Sequence, residues 1–200
     1  MTALRNTPVT LIPDAAPFAI RAERASDVVA REALLDAAFG ANRRTRTCQP
    51  LRDGRAPAEG LAFSAVRHGL VIGTIRLWRV SAGGIAALVL GPLAVEAACR
   101  DLGIGAALMN HALTAAKRRG HGAVILLGDA PYYARFGFSA LKTGELSLPG
   151  PFERDRLLAL ELREGALDGA WGMIMPTATA ARQNKPRLAA RLRKLAPHAA

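Results

Sequence analysis

The sequence predicts a three-layer α/β domain with a mixed sheet, and three observations lead to that class. Strand-like and helix-like periodicities follow one another in the order β-α-βββ-α-β-α-β. A strand, a glycine-bearing loop and an amphipathic helix run on without interruption between residues 85 and 119. The run AVILLGD, Ala123–Asp129, is apolar almost throughout, the pattern of a strand covered on both faces. At 200 residues the chain suits one domain with a sizeable core.

The elements follow in order. Residues 1–17 hold three prolines and little pattern, and read as a flexible arm before a domain spanning 18–175. FAIRAE, Phe18–Glu23, alternates as a strand, and Ser26 is expected to cap a helix over Asp27–Phe39. Gly40–Gly60 is a polar connection carrying Arg43, Arg44, Arg46, Arg52 and Arg55. LAFSAVRHG and LVIGTIRLWRV form two strands turning at His68-Gly69, and IAALVLGPLAV, Ile85–Val95, is a third after Gly83-Gly84. Ile104, Ala107, Leu108, Ala112 and Ala115 then recur at helical spacing, while Lys117, Arg118 and Arg119 suit the negative end of that helix and Gly120 its close. APYYARFG reads as a short helix with Pro131 in its first turn, and Ser139–Leu167 supplies one or two closing strands.

Composition narrows the function. Half of the residues are hydrophobic and 22% are charged, the balance of a globular protein. No basic-then-apolar leader is evident, and the longest apolar run is shorter than the roughly 20 residues a spanning helix needs, so a cytoplasmic protein without a membrane role is expected. Cys48 and Cys99 form no CxxC pair and stand in no histidine cluster, so they read as plain thiols and no metal site is expected. The net charge is +11, and residues 176–200 hold six cations without an acid. Such a tail attracts polyanions, which leaves an RNA- or ribosome-associated role open, but it has no aromatic residue for bases to stack on. A partly disordered, solvated tail is the simpler reading.

RDLGIGAALM, Arg100–Met109, carries the chemistry. A strand, a loop and a helix start bring free backbone N–H groups together, and these bind anionic phosphate. Gly103 and Gly105 admit a close approach, and Arg100 adds a forked cation. The dinucleotide fingerprint would need a glycine where Leu108 stands, and no Gly-Lys-Ser/Thr follows to make a Walker loop.

Arg-x-x-Gly-x-Gly after a strand, with YYARFGF some thirty residues later, resembles the GNAT superfamily of acetyl-CoA-dependent N-acetyltransferases. The likeness runs from about Phe18 to Leu162 and implies a GNAT-like α/β/α architecture whose central sheet is splayed. It implies that acetyl-CoA is the cosubstrate, with its pyrophosphate on Arg100 and the N–H groups of Leu102, Gly103, Ile104, Gly105 and Ala106. By the same likeness its pantetheine arm lies along Leu93, Ala94 and Val95. The amine would attack within a ternary complex, where positioning and a fixed N–H donor at the carbonyl carry the rate. Ala97 stands where members commonly place proline, and Asp101 and Leu102 where small or basic residues are common.

The resemblance puts Tyr133 in the position that protonates the departing thiolate, with Tyr132 pointing elsewhere; a core aromatic is the other reading of Tyr133. No acid lies on the central strand, so Asp129 and Glu96 are the candidate bases, against an N-cap role for Asp129 and a loop role for Glu96. His68 reads as a turn residue and His111 as a helix-face residue. The arginine-rich connection suits an acidic acceptor amine, and Leu148–Arg156 offers a second wall. A CoA-binding sensor without turnover is the competing function, and a homodimer is common in proteins of this kind.

Overall fold

The computed structural model describes residues 18–177; the N-terminal arm and every cation of the basic C-terminal segment lie outside them. The chain opens with β1 (Ala19–Ala22), a 3-10 turn (Ala25–Asp27) and α1 (Val28–Phe39). Three strands follow: β2 (Ala62–Arg67), β3 (Leu70–Ala82) and β4 (Ile85–Val95). A 3-10 helix (Ala97–Leu102) leads into α2 (Ile104–Arg118), then β5 (Ala123–Leu127) and α3 (Ala130–Ala134). Three strands close the domain, β6 (Leu146–Ser147), β7 (Leu157–Glu161) and β8 (Gly172–Pro176); the first two lie where one or two closing strands were expected, and β8 lies beyond that segment. Its exposed positions, Met173 and Met175, are themselves apolar, so no alternation marks it. Pro176, read as the first residue of the tail, closes β8.

The strands form one mixed sheet in the order β1-β2-β3-β4-β5-β7, with β8 and β6 added beside the far end of β3. Both hairpins turn where expected. His68 (φ 50°) and Gly69 (φ 78°) join β2 to β3, and Gly83 and Gly84, also at positive φ, join β3 to β4. Successive positive φ values fit the right-handed twist of the flanking strands.

Alternation sorts the core into two layers. Leu88 and Leu90 of β4, Val124 and Leu126 of β5 and Leu158 of β7 meet Ile104, Leu108, Met109 and Ala112 of α2 on one face. Ala87, Val89, Ala123, Ile125 and Leu157 point to the other face, against Leu51, Leu146, Leu167 and Ile174. Over the far half of β4 that second face is covered by α1, through Leu34 and Leu35 on Ala94. α2 sits so close to β3 that a Cβ on Gly73 would stand 3.0 Å from Leu108 Cδ1 and 3.1 Å from Ile104 Cγ2.

The start of α1 differs from expectation. Ser26 makes no cap; the Arg24 N–H donates to Asp27 Oδ2 at 2.9 Å instead, and Asp27 forms the hinge between the 3-10 turn and α1. Arg21 holds this carboxylate through both of its forks (2.6 and 2.8 Å), and Ser64 Oγ donates to it at 3.0 Å. A carboxylate that gathers two charged and two neutral donors is worth more inside the domain than at a helix end. A second ionic chain runs on: Glu23 accepts from Arg31 and Arg76, Arg31 reaches Glu32, and Glu32 and Asp36 hold Arg43. The polar connection is therefore not plain loop. It contains two 3-10 helices, Ala41–Thr45 and Gln49–Leu51, the first tied to α1 by Arg43 and the second buried through Leu51.

No helix among the described residues is long and apolar enough to cross a membrane.

Candidate functional site

Everything at the site follows from how β4 and β5 part. They pair in parallel only at Leu88↔Val124 and Val89↔Ile125. Beyond Val89, β4 keeps its partnership with β3, but through a bulge: Ile75 faces Leu93 while Leu77 faces Leu90. The extra residue turns the strand, as bulges do. Leu93 and Val95 thereby return to the α2 face, while Ala94 stays buried under α1. The sheet splays, and among the described residues no strand pairs the far edge of β4 from Leu90 onward.

An open cleft of about 1000 Å³ fills the gap. Leu90, Gly91, Leu93 and Val95 of β4 form one side, and Leu126, Leu127, Gly128 and Asp129 at the end of β5 form the other. Tyr132 and Tyr133 of α3 and Gly105 of α2 stand at one end. The arginine-rich connection and residues 151–156 supply the remaining wall, joined by Thr47 Oγ1 donating to Pro151 O at 2.6 Å.

The expected anion cradle stands at the mouth of the splay. Gly103 caps α2 in the left-handed region (φ 71°), a conformation that favours glycine, and a Cβ there would meet nothing within 4 Å. The first bond across this cap runs from Ala107 N to Gly103 O at 3.0 Å. The N–H groups of Ile104, Gly105 and Ala106 therefore point out of the helix end without intrahelical acceptors. Leu102 does not belong to this set; it ends the preceding 3-10 helix with its side chain exposed. The glycine that breaks the helix comes one residue after it. Arg100 and Asp101 are both exposed, and Arg100 flanks a small cavity under α1 together with Glu96.

Tyr133 is largely buried, edge-on to Phe138 and Tyr132, with ring centroids 6.0 and 4.9 Å away. Burial first, then the neighbouring Tyr132 and Asp129, push its phenol up to about 12. Its ring rests on Gly128: a Cβ there would lie 2.8 Å from Tyr133 Cδ2 and closer still to Cε2. The expectation that Tyr132 points elsewhere is corrected. Its hydroxyl would meet a Gly105 Cβ at 3.1 Å, so it too faces the cleft, at the start of α2, with Arg135 stacked on its ring 4.2 Å from the centroid. On a helix of one turn, adjacent residues share an end even though they do not share a face.

Of the two candidate bases, the splay brings one into the cleft. Asp129 lines it and accepts from Tyr132 N at 3.2 Å, so the N-cap reading and the cleft position hold together. Glu96 lies beyond the end of β4, exposed, with its carboxylate accepting from Ala97 N, and lines the other cavity. His68 is the turn residue expected, and His111 packs its ring against Phe63 (4.6 Å). Among the described residues no group of three His, Cys, Asp or Glu side chains could hold a metal.

Pattern reasoning passed over Arg52. It is mostly buried, lines the cleft beside Gly91 and, among the described residues, donates to Gln49 Oε1 at 3.1 Å. Within a run of five arginines nothing in the sequence singles it out.

The acetyltransferase (GNAT) domain model matches residues 58–140, from just before β2 to just after α3. The curated N-acetyltransferase YhbS of Escherichia coli is 28% identical over 157 residues, 78% of this chain and 93% of that one. The crystal structure of E. coli YhbS in complex with CoA superposes with a TM-score of 0.70 at 27% identity, over 87% of this chain and 94% of that one. A GNAT family acetyltransferase from Brucella melitensis, in complex with acetyl-CoA, gives 0.55 at 27% identity over 76% and 99%.

Proposed function

We propose that this chain, which matches the GNAT acetyltransferase domain model over residues 58–140 and resembles YhbS, is a GNAT N-acetyltransferase whose cleft takes acetyl-CoA and a primary amine together and passes the acetyl group by direct attack. One observation carries the reading: the unpaired edge of β4 leads straight to the bare N-terminus of α2. An edge without a strand can pair the amides of an extended arm, as an added strand would. A helix start with free N–H groups suits a pyrophosphate. Gly105 keeps the approach between them free of a Cβ, and Tyr132 uses that room. The residues present fit the cosubstrate.

Bound there, acetyl-CoA supplies the thioester whose C–S bond is broken. Leu93, Ala94 and Val95 lend β4 backbone groups to the arm, and an N–H of that edge donates where charge grows on the carbonyl oxygen. Ile104, Gly105 and Ala106 hold the pyrophosphate, with Gly103 setting the turn and Arg100 and the Leu102 backbone at its rim. Asp129 takes a proton from the amine as nitrogen bonds to carbon. Tyr133 donates its phenol proton to the leaving sulfur, and its raised value keeps that proton in place at neutral pH. A cytoplasmic setting is part of the same proposal.

Calorimetric titration of the full chain with acetyl-CoA tests it, with release of free thiol in the presence of amines as the second readout. Binding on the order of micromolar is expected. Gly103→Asp, which adds a carboxylate to the cradle at a positive φ, should lose that binding by about a hundredfold or more. A wild-type chain that does not bind acetyl-CoA would overturn the reading.

A further inference from the structure

A guanidinium inside a protein is ordinarily matched by a carboxylate, because an uncompensated buried charge is costly. Arg43 follows that rule, held by Glu32 and Asp36 at 2.5 Å each. Arg52 does not. No acid among the described residues lies within ion-pair distance of it, and its Nε is fully buried without a hydrogen-bond partner. Its neighbour Asp53 turns instead to the Gln49 amide, which donates to it at 2.6 Å. A Cβ on Gly91 would stand 3.7 Å from Arg52 Nη1, but the Gly91 carbonyl accepts from Trp78 Nε1, at 2.7 Å. Burial pushes the Arg52 guanidinium down from its ordinary value, Cys48 and Asp53 pull against that, and Arg43 and Arg46 add to it. The fold retains a cation here whose Nε has no hydrogen-bond partner and which Asp53 offsets only from a distance.

Its place along β4 says what would offset it. Gly91 is four residues before Val95, roughly 13 Å along an extended strand. That separates Arg52 from the helix start that suits pyrophosphate and puts it at the acceptor end of the cleft. Arg46, exposed and stacked on Phe39, and Arg156, only loosely tied to Glu153 at 3.5 Å, line the same wall. The planar fork of arginine matches a carboxylate through two parallel bonds.

We propose that Arg52 anchors a carboxylate carried by the acceptor, so that this enzyme acetylates small amines of the amino-acid type. This rests on the acetyl-transfer reading above, and the test separates the two. Acetyl transfer is measured for glycine, 3-aminopropanoate and 4-aminobutanoate, each beside the alkylamine of matching length without the carboxylate. Binding of N-acetylglycine and of the neutral N-ethylacetamide is titrated separately in the presence of CoA, which needs no turnover. Wild type, Arg52→Met and Arg52→Lys are compared, with thermal melting to verify folding.

The expected result is a preference of about tenfold to a hundredfold in kcat/KM for one or more of the amino acids over the matched amines. The same preference should appear in the binding of N-acetylglycine. Arg52→Met should bring both ratios close to one, and Arg52→Lys, which keeps the charge but not the fork, should recover only part. No advantage for the carboxylate in wild type, or an advantage that survives in Arg52→Met, would overturn the proposal. So would a loss of acetyl-CoA affinity in Arg52→Met, which would assign the arginine to the cosubstrate. Carboxylate binding that depends on Arg52, without transfer to any amine, would count against the acetyl-transfer reading and leave the anchor standing.

Discussion

Gly128→Ala should damage turnover while leaving the acetyl-CoA cradle untouched. The added methyl would stand 2.8 Å from Tyr133 Cδ2, closer to Cε2, and 3.0 Å from Leu126 Cδ1, where ordinary contact begins at 3.4 Å. Gly128 does not occupy the left-handed region, so alanine meets no backbone objection, and the whole effect falls on the ring. Relieving the overlap moves the phenol by about 1 Å, and a displacement of that size at a reacting group costs on the order of a hundredfold. Removing the hydroxyl outright in Tyr133→Phe should cost about 10²- to 10⁴-fold. The two changes act through one group, so Gly128→Ala on the Phe background should add little. Steady-state kcat with saturating acetyl-CoA, beside calorimetric Kd, reads this directly. A Gly128→Ala enzyme with kcat within threefold of wild type would refute the placement of Tyr133 as the proton donor. So would full additivity of the double variant.

Three further outcomes are expected. Asp129→Asn keeps an N-cap acceptor and should leave the melting temperature nearly unchanged while kcat falls about a hundredfold; Asp129→Ala should lose about 1 kcal/mol of stability besides, and kcat near wild type in the Asn variant would leave the residue only its capping role. Asp27→Ala should lower stability by about 2–4 kcal/mol in urea at pH 7, because it strands Arg21 and removes four bonds. Arg21 holds the Asp27 carboxyl well below the usual range, so its contribution is full above about pH 4 and is lost as pH falls further; the gap between variant and wild type should narrow with acid. Tyr133 works in the opposite direction: its phenol is raised from 10 to about 12, so the stability tied to its neutral form is complete below pH 10 and disappears as pH rises through 12, a loss Tyr133→Phe should not show.

Most of the framework was legible because it is periodic. The β4 limits, Ile85–Val95, match the apolar run, and α2 follows the spacing of Ile104, Leu108 and Ala112 to within a residue of the expected start. What was not legible depends on contacts between distant segments. Ser26 has the right chemistry for a cap, but Asp27 finds Arg21 and Ser64 across the fold, and a local propensity of about 1 kcal/mol yields to that. The closing strand β8 shows no alternation, because Met173 and Met175 on its exposed side are apolar. The glycine-led start of α2 could be read because its glycine spacing is local. The opposite wall could not, since the partnering of Arg43 and the isolation of Arg52 arise only when the chain is folded. Glu96 and Asp129 look alike in sequence; the splay of β4 from β5 separates them.

The cleft is made of two materials. On the β4 and α2 side, an incoming molecule meets peptide groups set by the sheet and by a helix end, and few side-chain substitutions alter those. On the opposite side it meets loop arginines, one leashed to α1 by Glu32 and Asp36 and the rest free to be exchanged one at a time. Added salt should therefore loosen the acceptor wall before it disturbs the donor side. Under the proposed function, the same division would leave the choice of amine to side chains that can change singly and the hold on the acetyl donor to the backbone.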